Sequence, residues 1–149
     1  MVKYSRQREL IYTYLMSTKA HPTAETVYTA VREQCPNISL GTVYRNLTFL
    51  EQQGKIIKLS MGEDSERFDA DTSRHYHFRC RCCGSVSDLK MMSLKHIEVI
   101  AGENFGGVIE DHMAYFTGIC SECKAKLAKE VTEAKEKADS ENDSEKSKK

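Results

Sequence analysis

The stretch RHYHFRCRCCGSVSDL, Arg74 to Leu89, sets two imidazoles, three thiols and a carboxylate within sixteen residues. These are metal-ligating groups, and their spacing sorts them. Cys80-x-x-Cys83 recurs as Cys120-x-x-Cys123. A two-residue gap lets both sulfurs reach one tetrahedral ion at about 2.3 Å while a tight turn donates backbone N–H groups to them. Gly84, directly after the first pair, permits that turn. The two pairs predict a structural zinc held by Cys80, Cys83, Cys120 and Cys123, closed to chemistry. A disulfide or a reduced thiol core is the alternative, and Cys80-x-Cys82 is a rival spacing less well placed around one ion. Cys35, beside Pro36, reads as a half-buried apolar residue.

The histidines suggest a second site of different character. His75 and His77 alternate with Tyr76, so on a strand both imidazoles face the same way. Asp88, beyond the cysteine knuckle, can return beside them. Asp69 and His21 are further candidates from distant parts of the chain. Three imidazoles and two carboxylates form a nitrogen/oxygen set suited to Mn(II) or Fe(II), with a sixth octahedral position left open. The other reading of His-x-His is a solvated or hydrogen-bonded pair, and convergence of His21 and Asp69 separates the two.

Local patterns define the elements that must carry these groups. Residues 5–16 read as a helix capped by Ser5, with Leu10, Ile11, Tyr14 and Leu15 on one face. Pro22 and Thr23 open a second helix whose stripe is Ala24, Val27, Tyr28 and Val31. Ser39 caps a third, which buries Leu40, Val43, Leu47 and Leu50 and ends at Gly54. KIIKLSM and SERFDA flank the turn-like GEDS as a hairpin. Three helices and a hairpin follow the order of a winged helix, whose third helix enters the major groove of DNA. Ser39, Gly41, Thr42, Tyr44, Arg45 and Asn46 are then the candidate DNA contacts, and a solvated helix face is the alternative.

The remaining chain reads as strands over HYHFRC and GSVSDL, a short helix over SLKHIEVIAGEN and a strand over GVIEDHMAYFTGIC. In the helix Leu94, Ile97, Ile100 and Ala101 form the apolar face. The fold class is therefore α+β, with an N-terminal winged-helix domain over residues 1–70 and a small zinc-stapled α/β domain over 71–128. Residues 129–149 read as a charged, disordered tail, where DSENDSEKSKK carries no apolar residue.

Bulk composition fits this division. A chain of 149 residues with 40% hydrophobic content suits one domain or two small ones. Two small domains would each welcome a metal staple or a partner. The formal charge of zero hides eight Lys/Arg against four Asp/Glu in residues 1–60, an excess of four compatible with nucleic acid. No stretch approaches the roughly eighteen apolar residues of a membrane span, and MVKYSRQREL lacks the apolar run of a secretory signal. The reading is a cytoplasmic protein, where clustered cysteines more often bind metal than pair. A His/Asp metalloenzyme capped by the N-terminal helices is the competing class, but no separate general base or nucleophile constellation accompanies the site.

AHPTAETVY, SLGTVYRNL, RFD, HYHFRCRCCG and GICSEC, in this order from about Ser5 to Lys126, resemble the ferric uptake regulator superfamily. The resemblance is greatest to its peroxide-sensing branch. It implies a homodimeric repressor on double-stranded operator DNA, with the α/β domain as the dimerisation domain. It also implies a four-cysteine structural zinc and a regulatory Fe(II) or Mn(II) held by His21, Asp69, His75, His77 and Asp88. In that branch hydrogen peroxide oxidises ligand histidines, matched here by His21 and His75, so that metal is lost and DNA released. The alternative within the superfamily is a repressor reporting Fe(II), Mn(II) or Zn(II) availability. Relative to iron-uptake members, Arg74 and Tyr76 replace two ligands of an additional site and Lys95 an acidic one. His112 remains as its only remnant, read with His96 as structural or exposed.

Overall fold

The computed structural model describes residues 5–62 and 66–146, with side chains as far as residue 135. The order is α1 (Arg6–Ser17), α2 (Ala24–Arg32), α3 (Leu40–Gln52), β1 (Ile57–Leu59), β2 (Arg67–Asp69), β3 (Tyr76–Cys80), β4 (Val86–Leu89), α4 (His96–Gly102), β5 (Tyr115–Gly118) and α5 (Ser121–Lys146).

The first three helices start at the expected caps. The side chains of Ser5, Thr23 and Ser39 accept hydrogen bonds from the backbone N–H of Arg8, Thr26 and Thr42, satisfying donors the helix itself leaves free. α3 ends in a Schellman turn. Gly54 sits at φ 63, while Lys55 N–H donates to the Leu50 carbonyl and Gly54 N–H to that of Glu51. Ile11, Leu15, Val27, Val31, Val43 and Leu47 close a core between the helices, and Ile56 and Phe68 join it from the hairpin. Leu40, expected in the buried stripe, is only half-buried, and Ile38 is fully buried instead.

β1 and β2 pair antiparallel with Ile57 opposite Asp69; residues 63–65 of the expected GEDS turn lie outside the described residues. β2 also meets the start of α2. Phe68 N–H donates to the Pro22 carbonyl, and Thr23 bridges Arg67. His21 is thereby drawn alongside Asp69. β3 is the centre of a second sheet of order β4-β3-β5. β4 runs antiparallel to it, with His77 opposite Asp88, and β5 runs parallel.

Three expectations are corrected. Within the segment read as a strand over residues 107–120 only Tyr115–Gly118 is strand, because parallel pairing to β3 extends no further than His77 to Cys80. α4 buries no residue, its Ile100 and Ala101 are exposed, and Leu94 precedes it. α5 is helical to Lys146, through most of the stretch assigned to a disordered tail, and residues 147–149 lie outside the described residues. Its Ala, Glu and Lys content favours helix by propensity without a buried face.

Candidate metal centre

The sulfurs of Cys80, Cys83, Cys120 and Cys123 gather within 4.8 Å of one another. Four sulfurs about 2.3 Å from a tetrahedral ion stand about 3.8 Å apart by geometry. The Cys83 and Cys120 sulfurs are 3.8 Å apart. The knuckle turn supplies the supporting donors: Gly84, at φ 69, closes a bond to the Cys80 carbonyl, and Cys120 N–H donates to the Cys80 sulfur. Backbone N–H groups of Cys120 and Cys83 lower the Cys80 thiol to about 6, which favours a thiolate ligand. Cys123, held by hydrogen bonds with Cys120 and Cys83, is pushed up and keeps the proton that a metal would displace. Cys82 is exposed and outside the cluster, so the x-x spacing prevails over its rival.

The second set converges too. His21, Asp69, His75, His77 and Asp88 each bring a donor atom within 4.8 Å of the others. Asp69 Oδ2 lies 3.1, 3.1 and 3.3 Å from Nε2 of His21, His75 and His77. Asp88 Oδ1 lies 2.8, 3.3 and 3.7 Å from the same three nitrogens. Donors bonded at about 2.1 Å to one ion stand about 3 Å apart at right angles, so these are edge lengths of a coordination shell. Asp88 Oδ1 is buried and receives no directed hydrogen bond, as an oxygen reserved for a cation would be.

Each ligand has a reason for its position. Asp71 N–H takes Asp69 Oδ1, which leaves Oδ2 for the imidazoles. His75 Nδ1 meets the Ser73 carbonyl at 2.8 Å, so Nδ1 carries the hydrogen and Nε2 presents its lone pair. His21 sits at φ 48, the left-handed region, ahead of Pro22. Such a conformation costs on the order of 1–3 kcal/mol and is held by its surroundings. Arg67 supplies that hold, with Nη1 donating to the His21 carbonyl at 3.0 Å and Nη2 to the Gly84 carbonyl at 2.9 Å. The set is nearly dry, with His21 2% and Asp69 5% exposed. Burial opposes charge on both. The hydrogen bond and charge of Asp69, joined by Asp88, nevertheless raise His21, while hydrogen bonds from His21 and His77 hold Asp69 well below the usual carboxylate range.

The recognition-face candidates are placed less uniformly. Gly41, Tyr44 and Arg45 are exposed. The Tyr44 hydroxyl donates to Glu25 at 2.7 Å, and Arg45 donates to the Thr42 hydroxyl at 2.9 Å. Ser39 is engaged as the cap, and half-buried Asn46 bonds Arg8 and the Thr42 carbonyl. Arg67 went unnoticed as a site residue, since nothing in its spacing marks it. His112 is not a solitary remnant: Glu98 and Asp111 bring carboxylates beside it, and Arg74 pairs with both.

Three helices with a hairpin wing, joined through one histidine to a sheet carrying a mixed-donor centre, define a metal-responsive transcription regulator rather than an enzyme. The chain belongs to the ferric uptake regulator family, whose sequence model matches residues 1–117. It is 38% identical over 125 residues to the peroxide operon regulator of Bacillus subtilis (strain 168), covering 84% of this chain and 86% of that one. It is 37% identical over 125 residues to the peroxide-responsive repressor PerR of Staphylococcus aureus (strain USA300), covering 84% of each. Among solved structures, the Campylobacter jejuni peroxide stress regulator aligns with TM-score 0.67 at 26% identity, over 78% of this chain and 88% of its own. The ferric uptake regulator of Helicobacter pylori shares the fold with TM-score 0.73 at 24% identity, over 83% of each. Among the described residues no helix is long and apolar enough to cross a membrane.

Proposed function

We propose that this protein is a peroxide-responsive repressor that binds operator DNA as a homodimer when Fe(II) or Mn(II) fills the His21, Asp69, His75, His77 and Asp88 set. In this reading residues 1–70 read DNA, residues 71–128 dimerise, and the four cysteines hold a structural zinc. Its DNA-binding residues are Ser39, Gly41, Thr42, Tyr44, Arg45 and Asn46. The observation that carries it is the convergence of His21, at the start of the helical half, on ligands from β2, β3 and β4. A shared ion ties the halves and biases the pair of recognition helices toward one spacing. Relatives at 37–38% identity named for peroxide favour that signal over metal level alone.

Bound ferrous iron would supply the electrons that break the peroxide O–O bond. Net, one peroxide gives an oxygen atom to a ring carbon of His21 or His75 and leaves as water. The modified ring loses the basic lone pair that made it a ligand, and the tie between the halves is released. Anaerobic Fe(II) protein given peroxide is expected to gain 16 Da, about one oxygen atom, on the peptide of His21 or His75 while leaving DNA. Mn(II) protein is expected to stay unmodified and bound. Release from DNA with both peptides at their original mass would turn the reading to a reporter of metal availability.

A further inference from the structure

A third group of ligand-type side chains lies away from both sites. Glu98 on α4 and Asp111 and His112 on the segment before β5 bring donor atoms within 4.8 Å of one another. Two carboxylates so close repel unless a cation stands between them. Arg74 is that cation. Its Nη1 donates to Glu98 Oε1 at 2.8 Å and its Nη2 donates to Asp111 Oδ1. A guanidinium suits this task, because its planar fork can serve two carboxylates at once.

The imidazole is equally committed. His112 Nδ1 lies 3.1 Å from Glu98 Oε1, and a carboxylate can only accept, so Nδ1 carries a hydrogen. In the neutral ring Nε2 is then the lone pair, and it accepts from the Tyr76 hydroxyl at 2.6 Å. That hydroxyl accepts in turn from Leu94 N–H at 2.9 Å. Tyr76 is 2% exposed and stacks on His112, so the chain of bonds is fixed by packing. Every donor meets an acceptor, and no lone pair of the imidazole is left over. A cavity of about 240 Å³, lined in part by Arg74, Asp111, His112 and Met113, opens onto the group, so an ion and several waters could reach it.

We propose that Arg74 is a built-in cation closing a latent divalent-metal site formed by Glu98, Asp111 and His112. It ties α4 and the segment before β5 to the residue preceding His75, and it makes that link independent of metal supply. Removing the guanidinium should open the site to a borderline ion such as Zn(II), which takes imidazole and carboxylate together.

The test is Zn(II) uptake by the full-length protein, counted by native mass spectrometry in paired variants. His112→Ala is expected to remove one ion per protomer from Arg74→Ala protein and none from protein that retains Arg74. Because each comparison is made with and without His112, the result does not depend on whether the His21 set is filled. Arg74→Lys, which leaves a cation in the gap, is expected to behave as wild type. Arg74→Gln replaces Arg74→Ala if circular dichroism shows the latter unfolded. Uptake insensitive to His112 in both uncharged variants overturns the proposal, as does loss of an ion when His112 is removed beside an intact Arg74.

Discussion

Asp69 and His21 are each tuned by the other, and the tuning has opposite consequences with and without metal. In chelated protein the His21 pKa lies above its ordinary 6.5. Its contribution to stability is therefore full below 6.5 and is lost as pH rises through the folded value. Asp69 lies below its ordinary 3.8, so its contribution is present above 3.8 and lost as pH falls through the folded value. Both contributions are present between those two ordinary values. Chelated protein is expected to melt at a higher temperature at pH 6 than at pH 8. Mn(II)-loaded protein is expected to do the reverse, because ligation needs neutral imidazoles. His21→Ala should shrink both differences. Melting curves at the two pH values, with chelator and with Mn(II), check this, and a chelated protein more stable at pH 8 would contradict it.

At the scale of elements, the short strand β2 does more than pair with β1. Arg67 at its head holds the carbonyls of His21 and Gly84, one beside the mixed-donor centre and one at the zinc knuckle. Charge-assisted hydrogen bonds of this kind contribute roughly 1.5–3 kcal/mol each. Arg67→Met keeps the apolar stem and removes both. Mn(II) affinity is expected to fall on the order of tenfold or more, equivalent to about 1.4 kcal/mol or more, as His21 loses its hold, while zinc content stays unchanged. Arg67→Lys should recover only part of the loss, since an ammonium lacks the planar fork that serves two carbonyls. Calorimetric Mn(II) titration with zinc measured alongside decides it; an unchanged affinity for Arg67→Met would show that Pro22 and Phe68 alone position His21.

Elements also differ in how far sequence reveals them. The caps at Ser5, Thr23 and Ser39 act over three residues, and so do the two cysteine pairs, so both were legible directly. The alternation of His75 and His77 fixed their shared face, but the register that sets Asp88 opposite His77 and the bridge that draws in His21 depend on distant pairing. Family resemblance supplied that convergence; periodicity could not. Arg67, Glu98 and Asp111 stayed hidden because a charged residue takes its role from whatever the fold sets against it. β5 was overextended because the apolar residues Val108 and Met113 read as strand, whereas both are exposed.

Over the whole molecule, the two halves are stabilised by different means. The buried apolar cluster runs from Ile11 to Phe68, and among the described residues only Tyr76, Cys80 and Val86 are buried apolar side chains beyond it. At about 1.5–3 kcal/mol for each buried side chain, three cannot offset the ordering of the second half, which costs on the order of 1.5 kcal/mol per residue. Structural zinc, worth roughly 10–16 kcal/mol in small domains, and a partner surface must supply the difference. The surface is visible in the exposed Met92, Val99, Ile100, Val108 and Met113, an apolar face that a second copy would cover. Two perturbations should therefore separate. Stripping zinc under reducing conditions is expected to abolish hydrogen-exchange protection across β3, β4 and β5, dissociate the dimer, and leave α1 to α3 protected. Ile100→Glu with zinc retained is expected to give a monomer by sedimentation while the knuckle around Cys80 and Cys120 stays protected. Persistent protection of β3 after verified zinc loss would assign the second half's stability to packing this account does not contain, and a dimer that survives Ile100→Glu together with Val99→Glu would place the partner surface off α4.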